Sequence, residues 1–256
     1  MEKIKELRDK TGAGMVECSN ALKEANGDIE LAVEILRKKG GAKAAKKADR
    51  MTTEGVIAIA KSADNKKLVI AKVQCETDFV GRNDDFKAFA NSVAEAGVDG
   101  SAEEFFIANK DAVVLKVGEN LTLGGAETLN GEFVNGYIHS NGKVASAVVF
   151  NKACDAMLAN DVAMHIVAMS PNCLNPEDVD PTDLAKEKEI YTEQLKNEGK
   201  KEEMIEKILG GKISKYYEDV CLTKQFFIKD DKKKIEDVLK ESDADLKIVK
   251  FVRFSL

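Results

Sequence analysis

A strand–turn–strand–helix pattern occurs twice in this chain, starting at Glu54 and again 78 residues later at Glu132. Short apolar runs flank a turn in each copy, and an amphipathic helix follows the second strand. The second turn contains Asn141-Gly142, the pair most typical of a two-residue hairpin connection. Because such a unit cannot bury its apolar faces alone, the repetition predicts an α+β core of two related halves.

The pattern of helix breaks and caps in residues 1–40 predicts a small N-terminal domain of three helices. Thr11–Gly14 interrupts the first helix, Asn26-Gly27 ends the second, and Asp28 can cap the third by accepting from its free amides. The following segment, 41–53, is rich in lysine and alanine, which predicts a linker that is helical in part.

The core then divides into a first half at 54–130 and a second half at 131–256. Within the second half, the charged segment at about 182–220 carries only a thin apolar seam, and all three prolines lie before it or at its start. This pattern predicts a protruding antiparallel helical hairpin. The seam permits a homodimer through the hairpin without requiring one.

Charge and hydropathy exclude several classes of protein. The formal net charge is −6, which argues against a general nucleic-acid binder, since phosphate neutralisation needs a basic surface. No window approaches the roughly 18 apolar residues that a membrane span needs. The charged first residues lack the apolar core of a signal peptide, so we predict a cytoplasmic protein. The lysines of 41–53 leave an RNA-associated scaffold open as an alternative.

The sequence contains no catalytic or metal-binding constellation. Five cysteines are scattered without a CxxC pair, which predicts free buried thiols, no zinc site and no disulfide framework. His165 lies on a predicted core-facing helix and is expected to be structural, whereas His139 lies beside a tight turn and is expected to be exposed. We therefore predict a protein that is not an enzyme and that holds no cofactor or metal.

The segment Thr77-Asp78-Phe79-Val80 is unusual because a large aromatic residue lies among acids and amides where a strand ends before a helix. In one interpretation Thr77 or Asp78 caps a turn, and Phe79 and Val80 enter the core. In the other, Phe79 is an exposed anchor for a partner's pocket, and Asp78 adds a directional charged contact. The residues alone leave both interpretations open.

Several segments resemble the bacterial elongation factor Ts family over essentially the whole chain. The matching stretches are 7–18, 21–28, Gln74–Val80, Lys116–Asn120, Tyr137–His139, Ala163–Ile166 and Phe251–Phe254. The resemblance implies a ubiquitin-associated-like N-terminal domain, a core of two related α+β halves and a protruding helical hairpin. It also implies a guanine-nucleotide exchange factor for elongation factor Tu, which acts by binding rather than by catalysis.

The resemblance also implies roles for single residues. The tip Thr77–Val80 would enter the GTPase domain of elongation factor Tu, with Phe79 as a wedge between helices and Asp78 disturbing the network around Mg²⁺. Three further contacts to a helix of that domain would come from Met15, Val16 and Val117. A contact to another domain of the partner would come from His139.

The sequence departs from the family pattern at a few positions. Ser19-Asn20 stands where two basic residues are usual, Gly81 replaces a small Ala or Ser, and Phe226 replaces a common proline. These departures put N-terminal contacts near Ser19 in question. A helical-domain adaptor that binds ubiquitin-like or other proteins through 1–40 is a further alternative.

Overall fold

The computed structural model describes all 256 residues, and the chain forms two compact units. The first unit comprises Met1–Thr128, Ile138–Ala145 and Phe254–Leu256, and the second comprises Leu129–Tyr137 and Ser146–Arg253. Both helices and small sheets are present, so the predicted α+β class is confirmed. The finer division into 1–40, 41–53, 54–130 and 131–256 remains a prediction.

The α-helices are α1 Glu2–Thr11, α2 Met15–Glu24, α3 Ile29–Lys47, α4 Asp78–Arg82, α5 Asp84–Asp99, α6 Ala102–Val117, α7 Ala156–Met169, α8 Pro181–Asn197, α9 Glu202–Val220 and α10 Ile235–Ser242. The strands are β1 Glu54–Lys61, β2 Lys67–Cys75, β3 Thr122–Asn130, β4 Phe133–Ile138, β5 Val144–Phe150, β6 Phe226–Phe227, β7 Asp230–Lys234 and β8 Ile248–Ser255. None of these helices combines the length and the apolar character that crossing a bilayer requires.

Helices α1 to α3 pack around a small apolar core, as their spacing predicts, and Leu115 of α6 also contributes to it. Helix α1 ends at Gly12, whose φ of 67° requires the left-handed conformation that glycine adopts readily. The side chain of Asp28 caps α3 by accepting from the amide of Leu31 at 3.0 Å. Helix α3 does not end at residue 40, because it continues to Lys47 and packs against α6. The first half of the predicted linker is thus helical.

The first sheet has the order β1-β2-β3. Strands β1 and β2 are antiparallel and pair from Glu54 with Cys75 to Lys61 with Leu68. Helix α5 covers this hairpin, and its Phe86 is fully buried in the core. Strand β3 was not predicted, because Gly124 and its neighbour weaken the strand signal. The glycine is needed there: a Cβ on Gly124 would lie 2.2 Å from the side-chain oxygen of Gln74.

The second sheet has the order β4-β5-β8, and helix α7 packs beside it. Phe150 and Ile166 are fully buried in the core of the second unit, together with Ile235 of α10. Helices α8 and α9 pack on one another and bury Leu195 and Ile213 along their seam, which agrees with the predicted hairpin. The short strands β6 and β7 form a two-stranded ribbon that was not predicted.

His165 is a fully buried structural residue, as expected from its helix. Its Nε2 lies 3.0 Å from Oε1 of Gln225, and its Nδ1 accepts from the amide of Ile228 at 3.3 Å. This pattern assigns the proton to Nε2 and leaves the ring neutral. Burial lowers the pKa of His165 to about 4, although the bond to Gln225 opposes the shift.

The buried imidazole predicts an acid-sensitive second unit. Because the folded-state pKa lies below the unfolded value of about 6.5, the unfolded chain binds more protons as the pH falls. Between about pH 7.5 and about pH 5 we expect the free energy of unfolding to drop by about 2 kcal/mol through His165. All four tyrosines lie in the second unit, so tyrosine fluorescence during urea unfolding reports on it alone.

The chain offers a matched control, since it has only two histidines. His139→Gln should keep the loss of stability over this pH range, and His165→Gln should remove most of it. A pH dependence that survives in His165→Gln and disappears in His139→Gln would contradict this prediction.

Candidate partner-binding site

Phe79 is exposed, and Val80 is not. The short helix α4 begins after Thr77, whose hydroxyl accepts from the amide of Val80 at 3.5 Å. Phe79 is 81% exposed in the first turn, whereas Val80 is half-buried and packs against the core of the first unit. The exposed interpretation of the tip therefore holds for Phe79, and the buried interpretation holds for Val80. A phenylalanine held this far into solvent is available as an anchor for a partner.

Glu119 holds the chain that leads into the tip. One carboxylate oxygen accepts from the amides of Glu76 and Thr77, both at 3.0 Å, and the other accepts from the Thr77 hydroxyl at 2.5 Å. Bonds to a charged acceptor are shorter and stronger than neutral ones. Glu119 lies just after Gly118, which ends α6 with a φ of 78°. A residue 42 positions away in the chain thus fixes Thr77.

A reciprocal contact strengthens this attachment. The side chain of Glu76 accepts from the amide of Asn120 at 2.6 Å. The side-chain amide of Asn120 donates to the carbonyl oxygens of Ala48 and Arg50, at 3.2 and 2.8 Å. The end of β2, the segment after α6 and the segment after α3 are therefore held together below Phe79.

Cys75 supports the tip from within the core. Its thiol donates to the carbonyl oxygen of Thr77 at 3.2 Å. Burial, with a smaller contribution from the negative charge of Glu119, raises the pKa of Cys75 to about 12. The thiol therefore remains a protonated donor at neutral pH.

Asp78 lies beside a cavity in the same unit. Its carboxylate pairs with Arg82 one turn later at 2.9 Å, an exposed ion pair of small energetic weight. The cavity has a volume of about 470 Å³ and is also lined by the β4–β5 turn at 140–143. The amide of Ile57 donates to the carbonyl oxygen of Gly142 at 2.9 Å, which fixes this turn against β1.

His139 begins the same turn and is exposed, as predicted. Its carbonyl oxygen accepts from the amide of Gly142 at 2.8 Å, which closes the turn. Lys143 forms an ion pair with Glu54 at 2.5 Å and anchors the other side. The turn that carries His139 and the helix that carries Asp78 therefore border one cavity.

The predicted N-terminal contact residues are exposed at the start of α2. Met15 is 52% exposed and Val16 is 73% exposed. The turn before them lies against the end of α6, since a Cβ on Gly12 would be 2.9 Å from the Cδ of Lys116. Val117, the next residue of α6, is half-buried in the core, so it contributes packing as well as a small exposed surface.

All eight predicted site residues lie in the first unit. The sequence did not identify Glu119, Asn120 or Arg82 as part of the site. Glu119 carries a local signal, since it is a carboxylate directly after a helix-ending glycine. At Gly81, where the resemblance fails, a Cβ would lie 3.3 Å from the carbonyl oxygen of Gly55, so an alanine would need only a slight shift.

Comparison with known proteins identifies the family. The family model described as "Elongation factor TS" matches residues 76–256. "Elongation factor Ts" of Marinobacter nauticus is 43% identical over 260 residues, covering 99% of this chain and 89% of the relative. That of Nautilia profundicola is 43% identical over 279 residues, covering 99% and 91%.

A third relative, "Elongation factor Ts" of Arthrospira platensis, is 44% identical over 244 residues, covering 89% of this chain and 97% of the relative. The relatives extend over residues 1–75, which the family model leaves unmatched. Matches of this length and identity cover both units as well as Glu119 and the tip. The chain therefore belongs to the elongation factor Ts family of translation elongation factors.

Proposed function

We propose that this protein is a guanine-nucleotide exchange factor that binds elongation factor Tu·GDP, disturbs its Mg²⁺ site and promotes GDP release. The observation that supports this most directly is the 81% exposed Phe79 on helix α4, whose N-cap residue Thr77 is held by Glu119. An apolar anchor on a fixed support suits insertion into another protein, and it has no evident role in the stability of this chain.

Exchange by this route needs no catalytic group in the factor. A protein that favours the nucleotide-poor conformation of its partner lowers the partner's affinity for nucleotide. By linkage, nucleotide lowers the partner's affinity for the factor by the same ratio. We infer that the protein acts in the cytoplasm as such a factor and is not an enzyme.

The tip residues divide the work in this proposal. Phe79 supplies apolar area that is removed from water when it enters between helices of the GTPase domain. Asp78 brings a carboxylate toward the Mg²⁺ site, where a new negative charge perturbs the water and side-chain network. In the free protein that carboxylate contacts Arg82 at 2.9 Å in an exposed ion pair.

The remaining contacts hold the partner while the tip acts. Met15 and Val16 are exposed apolar residues on one helix end, and they would contact the same domain together with Val117. His139 lies on a turn fixed by hydrogen bonds, and it would contact a second domain. Two separated contacts allow the factor to favour one domain arrangement of its partner over another.

A direct assay tests the function. Elongation factor Tu loaded with a fluorescent GDP analogue is mixed with this protein and excess unlabelled GDP, and the release rate is measured against concentration. We expect stimulated release that saturates and a stable complex once nucleotide is removed. Absence of both would refute the proposal. Tight RNA binding that falls steeply with salt would instead favour the scaffold alternative.

Asp78→Ala separates binding from Mg²⁺ disturbance. We expect the release rate at saturating factor to fall about tenfold, an effect of about 1.4 kcal/mol. Affinity for nucleotide-free elongation factor Tu should change less than about threefold, because the apolar anchor Phe79 is retained. With excess EDTA present, the variant and the parent protein should release GDP equally fast. Loss of complex formation alone would contradict the role assigned to Asp78.

A further inference from the structure

Cys173 and Cys221 lie in contact at the base of the helical hairpin formed by α8 and α9. Cys173 precedes the hairpin, and Cys221 directly follows its last residue, Val220. Their Sγ atoms are 3.5 Å apart, although the residues are 48 positions apart in the chain. Both are free thiols, and both belong to the second unit.

The backbone fixes this proximity independently of the side chains. The two residues form a parallel β-bridge. The amide of Leu222 donates to the carbonyl oxygen of Cys173 at 2.9 Å, and the amide of Asn172 donates to that of Val220 at 2.8 Å. Neighbouring strands lie about 4.8 Å apart, within the range of about 4.4–6.8 Å between Cα atoms that disulfides use.

We propose that Cys173 and Cys221 form a dithiol site that low-molecular-weight disulfides, such as glutathione disulfide, convert into a disulfide closing the base of the hairpin. The pair is asymmetric in a way that suits two-step exchange. Cys173 is half-buried and can be reached by a small reagent, whereas Cys221 is fully buried. Cys173 is therefore the residue attacked first, and Cys221 resolves the mixed disulfide.

The chemistry balances without another reactant. The Cys173 thiol loses its proton and attacks one sulfur of the reagent, forming a mixed disulfide and releasing the first thiolate, which takes up that proton. The Cys221 thiol loses its proton and attacks the sulfur of Cys173. The second thiolate leaves and is protonated in turn. The protein loses two hydrogens, and the reagent becomes two thiols.

Burial slows thiol–disulfide exchange at both cysteines. It raises the pKa of Cys221 to about 12 and also raises that of Cys173. Both thiols are therefore protonated at neutral pH, and exchange is slower than at an exposed cysteine. Once formed, the bond would join the entrance and the exit of the hairpin, so neither end of α8–α9 could separate from the other during local unfolding.

Alkylation of the full-length chain tests the proposal. The reduced protein is incubated with excess glutathione disulfide, separated from the reagent under acidic conditions, denatured in iodoacetamide and weighed by mass spectrometry. Before oxidation all five cysteines should be alkylated; afterwards three should be, with no glutathione attached. A tryptic digest without reductant should contain one linked pair of peptides, joining Cys173 to Cys221.

Single variants give the controls. Cys154→Ser should still form the link, since Cys154 lies outside the pair. Cys221→Ser should stop at a stable glutathione adduct on Cys173, and Cys173→Ser should gain neither link nor adduct at Cys221. Folding of each variant is checked by tyrosine fluorescence. Five alkylated cysteines in the treated parent protein, a link to another cysteine, or a lasting adduct on Cys173 in the parent would each overturn the proposal.

Discussion

Phe79→Ala should slow the stimulated release of GDP from elongation factor Tu by about 30-fold or more. That factor corresponds to about 2 kcal/mol, the cost typical of removing a central aromatic anchor from an interface. Because Phe79 is 81% exposed in the free protein, its loss should leave the free energy of unfolding within about 0.5 kcal/mol of the parent value. The measurements are nucleotide-release kinetics and urea unfolding.

Ile107→Ala is a matched control. Ile107 is also apolar and 59% exposed in the first unit, but it lies on α6 away from the predicted contact residues. Its replacement should leave both release and stability nearly unchanged. If Phe79→Ala released GDP as fast as the parent protein, the wedge role would be wrong. If Ile107→Ala slowed GDP release equally, the effect of Phe79→Ala would come from the loss of exposed apolar surface in general and not from a wedge at Phe79.

Glu119→Ala should impair both exchange and the local order of the tip. It removes the acceptors for the amides of Glu76 and Thr77 and for the Thr77 hydroxyl. Leaving part-buried donors unpaired costs about 1–3 kcal/mol. We expect hydrogen exchange at those two amides to accelerate at least about tenfold. Stimulated GDP release should fall by about tenfold, because a mobile tip loses ordering entropy when it binds.

Two further variants separate positioning from general destabilisation. Glu119→Gln keeps an acceptor oxygen and should restore part of both effects, whereas Glu95→Ala removes an exposed carboxylate of α5 and should cause neither. Fast exchange at the two amides combined with parent-like GDP release would show that the attachment by Glu119 is irrelevant to function. Unchanged amide exchange in Glu119→Ala would show that Glu119 does not hold the tip.

Local sequence signals predicted most of the fold. The turn at Asn141-Gly142, the cap at Asp28 and the apolar face of α5 each arise from neighbouring residues, and the structure contains all three. Strand β3 escaped prediction because Gly124 allows a close contact with β2. Gly124 leaves space for the side chain of Gln74, which lies 50 positions earlier in the chain. A contact between residues so far apart cannot be predicted from the local sequence pattern.

The tip Thr77–Val80 likewise could not be predicted from the local sequence alone. Composition could not tell whether Phe79 was buried, because a five-residue helix directs successive side chains to different sides. Phe79 and Val80 are consecutive residues of α4, yet the side chain of Phe79 faces water and that of Val80 faces the core. The resemblance to a known family supplied the exposed interpretation. Neither approach identified Glu119, whose contact with Thr77 depends on how α6 ends relative to β2.

The first unit is assembled from three pieces of chain, 1–128, 138–145 and 254–256. Lys72 donates to the carbonyl oxygen of Ser255, 183 positions later, at 3.2 Å. Such distant contacts raise the contact order, which slows folding because long loops must close first. During vectorial synthesis the Phe79 tip would emerge early, yet its unit would be complete only after residue 254 had left the ribosome. The first unit, although it begins at the N-terminus, should therefore be one of the last features to be completed in the nascent chain.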